Sequence, residues 1–185
     1  MLKIIRAGMY TSVQDSGRDG LRQSGISRCG AMDKPALVTG NLLVGNEANA
    51  AALEITLGLA TFEFSRDGWF ALTGAGCEAT LDGEAVWSGW RHFAKAGQTL
   101  TLNRPQHGIR SYLTLAGGID GPLIMGSRST DLNVGIGGLE GRRLQDGDVL
   151  PLGKPSRAFK APRGVKPLMA SNRIRALPGP EYHEF

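Results

Sequence analysis

The amino-acid sequence predicts a mainly β protein, an antiparallel β-barrel with one or two short helices. Glycine makes up 27 of the 185 residues, about twice its usual ~7% share, and shows no collagen-like period. Because glycine reaches positive φ without steric cost, this content indicates many tight turns. Five Asp-Gly pairs, a strong hairpin signal, separate segments in which apolar and polar residues alternate. Many short strands at this spacing favour a closed or nearly closed sheet, which avoids exposed edges.

The strands follow from this alternation in order along the chain. Leu53, Ile55 and Leu57 alternate with polar residues, and Phe62 and Phe64 lead into the Asp-Gly pair at position 67. We predict hairpins where Asp-Gly pairs lie between such segments. The remaining predicted strand segments are 69–72, 79–81, 85–87, 99–102, 112–116 and the residues around 144 and 149–150.

One helix is expected between positions 33 and 46. Asp33 can cap its first turn, Pro35 suits that turn, and Gly45 can end the helix after an apolar run. Gly40 inside this segment is unfavourable, since an interior glycine costs about 1 kcal/mol relative to alanine.

The positive charge of the chain is concentrated near its carboxyl end. The net charge is +4, yet residues 1–153 carry 14 basic and 15 acidic side chains, whereas residues 154–185 carry seven and two. We therefore expect residues 1–153 to form the compact domain. Residues 154–172 are proline-containing and basic, which is typical of a linker or exposed crossover. Residues 173–185 are expected to begin a second, truncated subdomain.

Several classes of protein are disfavoured. No apolar run approaches the ~20 residues of a membrane-spanning helix, and the first six residues are not a secretory signal. The body has no basic cluster interleaved with aromatic residues, so nucleic-acid binding is not expected. Cys29 and Cys77 form no CxxC motif, which fits a reducing, cytoplasmic compartment. No metal site is expected, because the three histidines lack metal-ligand spacing, and no P-loop, GxSxG, HExxH or SxxK motif occurs.

The first candidate site is a polar loop that starts at Gln14. Gln14 can donate and accept hydrogen bonds, Asp15 can orient a donor, and Arg18 can pair with an anion. Gly17 and Gly20 allow the backbone to approach a ligand closely. We predict substrate-binding roles for Gln14 and Arg18 and a catalytic role for Asp15. The alternative is a solvated loop with a local ion pair between Asp15 and Arg18.

The second candidate site is the polar stretch at residues 126–131. Arg128 can offer a forked guanidinium to a carboxylate, and Ser129 adds a hydroxyl donor. We predict that both residues bind substrate. The alternative is a polar turn in which Asp131 acts as a cap.

Glu54 is a second catalytic candidate. It lies on a predicted strand, and a carboxyl group turned into the mouth of a barrel could act as an acid or base with a raised pKa. Outward orientation into solvent is the commoner position for a strand glutamate.

Seven stretches, taken in order, carry a family resemblance: residues 11–18, 30–33, 41–46, 53–54, 71–75, 112–119 and 126–130. The series resembles the biotin-dependent carboxyltransferase / allophanate hydrolase subunit 2 family, and the ordered set is more specific than any single stretch. Residues 173–180 resemble the beginning of the second half of that family.

The resemblance implies a cyclophilin-like β-barrel and a subunit of a multi-subunit enzyme. The implied enzyme is an ATP-dependent 5-oxoprolinase that hydrolyses 5-oxo-L-proline to L-glutamate, with 5-oxoprolinase subunits A and B as partners. ATP is implied for the complex as a whole, since the sequence shows no nucleotide motif. The chain alone is therefore expected to be inactive.

Two other functions are compatible with the same resemblance. One is a non-catalytic regulatory module that antagonises a kinase inhibitor. The other is a carboxyltransferase subunit of a urea-carboxylase-like enzyme. Composition does not distinguish these functions from that of a 5-oxoprolinase subunit.

Overall fold

The computed structural model describes residues 1–166 and 176–182 and has the predicted mainly β architecture with one α-helix. The helix α1 spans Lys34–Leu43, and a 3-10 turn spans Arg22–Ser24. Within the described residues, neither segment is long and apolar enough to cross a membrane. The strands are β1 (Leu2–Arg6), β2 (Tyr10–Gln14), β3 (Ala52–Thr56), β4 (Ala60–Phe64), β5 (Gly68–Leu81), β6 (Glu84–Val86), β7 (Trp90–Ala94), β8 (Thr99–Leu115), β9 (Val149–Leu150) and β10 (Arg163–Gly164).

Two long strands, β5 and β8, form the centre of a single antiparallel sheet. They pair with each other over most of their length. On its other side, β8 pairs with β4 near its amino end and with β3 near its carboxyl end. The sheet continues from β4 to β1 and β9, from β3 to β2, and from β5 to β7 and β10.

The sheet curves around one hydrophobic core. Each strand from β1 to β9 places at least one buried apolar side chain in the same cluster, as the strands of a barrel do. Taken one per strand, examples are Leu2, Val13, Leu53, Phe62, Leu72, Val86, Ala94, Leu113 and Leu150.

The Asp-Gly pairs have different roles in the fold. Asp82 and Gly83 form a two-residue turn between β5 and β6, and both have positive φ, as a type I′ hairpin requires. The hairpin predicted at Asp67 is wrong, because β4 pairs with β1 and β8 instead of with β5. An Asp-Gly pair therefore marks a reversal of the chain but does not determine which strands pair.

The predicted helix is confirmed, including its cap. The Asp33 carboxylate accepts a hydrogen bond of 3.0 Å from a main-chain N–H of the first turn. Gly40 is explained by packing, because a Cβ at this position would lie 2.8 to 2.9 Å from side-chain atoms of Thr73 and Thr114. Glycine thus lets the helix lie directly on the sheet.

Residues 154–166 lie along the body of the protein. Ser156 donates a hydrogen bond of 2.8 Å to the Gly45 carbonyl, and the Phe159 ring packs edge-on against Trp69. The guanidinium of Arg91 lies 3.9 Å from the centre of the Phe159 ring. The strand expected near residues 173–177 falls largely outside the described residues, and the division into domains stays a prediction.

Candidate functional site

The structure joins the two polar segments that the sequence singled out. The carboxylate of Asp15 accepts hydrogen bonds from the hydroxyls of Ser127 and Ser129, both at 2.6 Å, and from the main-chain N–H of Arg128 at 2.6 Å. A fourth bond of 2.7 Å comes from the N–H of Gly17. We call the group formed by Gln14, Asp15, Arg18 and residues 127–130 the Asp15–Ser129 cluster.

Asp15 connects two loops that lie more than a hundred residues apart in sequence. Its main-chain N–H also donates to the Ser129 hydroxyl at 2.9 Å, and its side chain is almost completely buried. Four donors on one carboxylate make strong, charge-assisted bonds that fix the relative position of the loops. These contacts give Asp15 a positioning role, and its catalytic role remains a prediction.

Gln14 and Arg18 bring unsatisfied polar atoms into the same cluster. Gln14 donates to the Ser12 hydroxyl and the Thr130 carbonyl at 3.1 and 3.3 Å, while its Oε1 is buried without a partner in the described structure. Arg18 is 1% exposed and donates through Nη2 to the Ser129 carbonyl at 2.7 Å. No ion pair joins Asp15 and Arg18 within the described part of the chain. The alternative of a solvated, ion-paired loop is therefore wrong.

Arg128 contributes its main chain to the cluster and its side chain to a neighbouring turn. Nε donates to the Gly121 carbonyl at 2.9 Å, and Nη2 lies 3.3 Å from the Asp120 carboxylate. The side chain is partly exposed and lines a small cavity with Val13 and Leu139. A substrate carboxylate would have to compete with the existing partners of this guanidinium.

Glu54 lies outside the Asp15–Ser129 cluster, on β3. Its carboxylate accepts hydrogen bonds from the Tyr112 hydroxyl at 2.6 Å and from the Met32 N–H at 2.8 Å, and Arg110 Nε lies 3.3 Å away. The expectation of a solvent-facing side chain is wrong, because Glu54 is buried. It lies opposite Ser12 in the β2–β3 ladder, and Ser12 in turn accepts a hydrogen bond from Gln14.

The environment of Glu54 affects its tyrosine partner. Burial, followed by the hydrogen bond to Glu54, raises the pKa of Tyr112 above its ordinary value. The Tyr112 hydroxyl also accepts a hydrogen bond of 2.7 Å from the Asp33 N–H at the start of α1. This chain of contacts anchors the helix to the sheet and keeps Tyr112 a neutral donor.

Sequence reasoning missed Ser127, Tyr112 and Arg110 as members of these polar groups. Ser127 lies inside a stretch that was already a candidate, so its hydroxyl could have been included. Tyr112 and Arg110 alternate with Ser111 along β8, and this period of two places them on the same face as Glu54. That signal is present in the sequence but is obscured by the polar run before it.

Neither a metal site nor a reactive thiol emerges from the described residues. Among them, no group of three or more His, Cys, Asp or Glu side chains is arranged to hold a metal ion. Burial, with a smaller effect of Asp131, raises the pKa of the Cys29 thiol, although the hydrogen bond with Ser27 and the charge of Arg18 act in the opposite direction. Cys29 is therefore a protonated thiol at neutral pH and a poor nucleophile.

The sequence matches the family described as carboxyltransferase domain, subdomain A and B, over residues 24–185. The chain belongs to this family. This membership confirms the family resemblance that the seven stretches of the sequence indicated. The antiparallel β architecture agrees with a crystal structure of TTHA0988, which has a TM-score of 0.87 and 34% sequence identity and covers 97% of this chain and 36% of that chain.

Two curated members show how the similarity is distributed. The chain is 73% identical over 185 residues to the C subunit of 5-oxoprolinase from Escherichia coli (strain K12), a match that covers all of this chain and 60% of that protein. It is 37% identical over 150 residues to urea amidolyase of Saccharomyces cerevisiae (strain ATCC 204508 / S288c), covering 80% of this chain and 8% of that protein. The chain thus spans 60% of the length of the 5-oxoprolinase protein that it matches.

Proposed function

We propose that this carboxyltransferase-family chain is a subunit of an ATP-dependent 5-oxoprolinase complex that hydrolyses 5-oxo-L-proline to L-glutamate. The observation that carries the proposal is the 73% identity to a protein named as the C subunit of 5-oxoprolinase, against 37% to urea amidolyase. The name of the relative also supports 5-oxoprolinase subunits A and B as partners. The free thiols of Cys29 and Cys77 support a cytoplasmic location.

In this proposal the Asp15–Ser129 cluster is the substrate site of the chain. 5-Oxo-L-proline offers a lactam N–H, a lactam carbonyl and a carboxylate. The buried Gln14 Oε1, which has no partner among the described residues, can accept from the N–H, and arginine donors can bind the carboxylate. Gln14 and Arg18 are therefore the first proposed binding residues, with Asp15 as their anchor. Arg128 and Ser129 are also proposed to bind substrate, but they would have to exchange their present partners, Gly121 and Asp120 for Arg128 and Asp15 for Ser129.

The structure supports a role in the reaction less for Glu54 than for the Asp15–Ser129 cluster. Its carboxylate is already engaged by Tyr112, Met32 and Arg110. To act as an acid or base it would have to exchange one of these partners for a reacting group. We retain Asp15 and Glu54 as catalytic candidates that activity measurements on substituted complexes must rank.

ATP is assigned to the complex and not to residues of this chain. A lactam is a poor electrophile, and ATP would supply the activation that hydrolysis needs. The sequence contains no phosphate-binding P-loop, and its Gly74-Ala75-Gly76 run lies within β5 instead of at a helix N-terminus. No residue of this chain is therefore proposed to act on ATP.

The proposal is tested by co-expression of the chain with 5-oxoprolinase subunits A and B, followed by an assay of glutamate release from 5-oxo-L-proline. We expect release that requires ATP and all three components, and none from the purified 185-residue chain alone. A preparation of subunits A and B without this chain is the control. Equal glutamate release by that control, or ATP-dependent release by the chain alone, would contradict the proposal.

A second candidate is the carboxyltransferase unit of a urea-carboxylase-like enzyme. The family membership and the similarity to urea amidolyase over 80% of this chain favour it. The same preparations, supplied with carboxylated biotin and urea, distinguish the two. Transfer of the carboxyl group to urea, with no glutamate formed from 5-oxo-L-proline, would select the second candidate.

A further inference from the structure

The guanidinium of Arg18 is buried, and most of its N–H donors have no acceptor among the described residues. Arginine carries five N–H donors, and a group with a full charge normally uses several of them when it is removed from water. Arg18 is 1% exposed, and among the described residues its guanidinium has one hydrogen-bond acceptor, the Ser129 carbonyl, which lies 2.7 Å from Nη2. Nε and Nη1 have no partner in the part of the chain that the structure describes.

The positive charge of Arg18 also has no counter-ion among the residues that the structure describes. No carboxylate of the described residues lies within 4 Å of it. The nearby acidic side chains are engaged elsewhere: Asp15 accepts four hydrogen bonds, and Asp131 accepts one from the Asn133 N–H at 3.0 Å. A buried charge is costly unless it is paired and hydrogen-bonded, so this environment calls for an anionic partner.

The backbone of Gly137 and Ser129 passes close to the Arg18 guanidinium and leaves room for it. Gly137 has φ of +73°, and a Cβ there would lie 2.7 Å from Arg18 Nη2 and would overlap the Ser129 carbonyl oxygen. Glycine therefore allows the main chain to pass close to the charged group. Asp15 holds Ser129 on the other side through two hydrogen bonds, so the carbonyl that receives Nη2 is fixed.

We propose that Arg18 is an oxyanion-binding site that holds a carboxylate or phosphate group through a forked pair of N–H donors, in which the second N–H of Nη2 acts together with that of Nε or of Nη1. The planar guanidinium matches two oxygens of such a group at once, which a single-atom anion cannot reproduce. Arg128 fits this role less well, because its guanidinium already contacts Gly121 and Asp120. The existence of the site does not depend on the proposed function. The identity of the natural ligand, the carboxylate of 5-oxo-L-proline, rests on it.

The test is thermal unfolding of the 185-residue chain in sodium acetate, sodium phosphate or 5-oxo-L-proline, each against sodium chloride at equal ionic strength. A ligand that binds only the folded state raises Tm by about 5–10 °C at 100 times its Kd. We expect a saturable rise with at least one oxyanion. A larger effect of acetate and 5-oxo-L-proline identifies a carboxylate site, and a larger effect of phosphate identifies a phosphate site.

Two variants assign the effect to the guanidinium. Arg18→Lys keeps the charge but removes the fork, so we expect its Tm in oxyanions to equal its Tm in chloride. Arg66→Lys is the matched control, because Arg66 also donates to one main-chain carbonyl, that of Gly153, but is only half-buried. It should keep the wild-type response. An equal response of Arg18→Lys and the wild type would overturn the proposal.

A measurement on the wild type covers the case in which Arg18→Lys fails to fold. The Nε–H resonance of Arg18 is followed by NMR while acetate or phosphate is added. We expect a saturable shift whose Kd agrees with the thermal data. A resonance that does not move while Tm rises would show that the anion binds elsewhere, and the absence of any anion effect on Tm would also refute the site.

Discussion

The Asp15–Ser129 cluster makes a definite prediction for the substitution Asp15→Asn. The change preserves size and removes one carboxylate oxygen together with the negative charge. If the remaining oxygen keeps the bonds from Ser127, Ser129 and Gly17, the new amide N–H₂ faces the N–H of Arg128, which now lies 2.6 Å from Asp15 Oδ2. Two donors then oppose each other in a buried position.

The expected loss of stability follows from these contacts. A hydrogen bond to a charged group contributes about 1.5–3 kcal/mol, and an unsatisfied buried donor costs about 1–3 kcal/mol. The three remaining bonds also weaken, because they lose their charged acceptor. We therefore expect Asp15→Asn to lower the free energy of unfolding by about 3–5 kcal/mol. A typical domain has about 5–15 kcal/mol in total, so the variant should fold but be clearly weakened.

The assay is equilibrium unfolding of the chain in urea, followed by tryptophan fluorescence. Asp19→Asn is the matched control, since the Asp19 side chain is 71% exposed and makes a surface ion pair of 2.8 Å with Arg28. We expect it to change the unfolding free energy by less than about 1 kcal/mol. An Asp15→Asn variant that is no more destabilised than Asp19→Asn would show that the four bonds to Asp15 do not hold the loops together.

Four further predictions concern other parts of the molecule. Gly40→Ala should destabilise the chain by about 1–3 kcal/mol in urea unfolding, because the added methyl group meets Thr73 and Thr114; a gain in stability would show that packing does not require this glycine. Gln14→Ala and Arg18→Ala should each lower the turnover of the reconstituted complex by roughly tenfold or more, whereas wild-type turnover in both would remove the loop from the site. The pKa of Asp148 is lowered, mainly by its hydrogen bonds with Arg142. The contribution of Asp148 to stability is therefore present above its unfolded-state pKa of about 4 and is lost as the pH falls through its lower folded-state pKa. The difference in the free energy of unfolding in urea between the wild type and Asp148→Asn should shrink in that acidic range, and a constant difference would contradict the assignment. Limited trypsin proteolysis should first cut near Lys160 or Arg163, of which Lys160 lies outside any strand, and early cleavage within 100–116 would contradict the domain boundaries.

Local sequence signals were sufficient to predict the helix ends and the tight turn, because these features depend on neighbouring residues only. Asp33 and Gly45 bracket α1 because capping depends on residues within one turn of the helix end. The turn at Asp82 also follows from two adjacent residues that adopt positive φ. Both features were predictable because no distant contact is needed to form them.

Strand pairing required information that a local pattern does not contain. β8 was predicted as two separate strands, 99–102 and 112–116, because residues 103–108 between them are mostly polar and lack an alternating pattern. In the structure this region continues the pairing with β5 through irregular registers between Gly74 and Ala79. Long-range pairing therefore extends a strand through residues that have weak local preference for it.

For the candidate site as well, the sequence indicated the residue types but not which segments lie together. Residue chemistry identified Gln14, Asp15, Arg18, Arg128 and Ser129 as two polar segments, and the fold joins them through hydrogen bonds to Asp15. That contact spans more than a hundred residues, so no spacing in the sequence indicates it. The position of Glu54 was not predicted, because its burial depends on Tyr112 and Met32 from other elements.

A crystal structure of the reconstituted complex with 5-oxo-L-proline bound would test the proposed substrate site most directly. We expect the ligand carboxylate within hydrogen-bonding distance of Arg18 Nε or Nη1, with the lactam N–H donating to Gln14 Oε1. A ligand bound away from the Asp15–Ser129 cluster, with Arg18 paired to a protein carboxylate, would show that this cluster is not the substrate site.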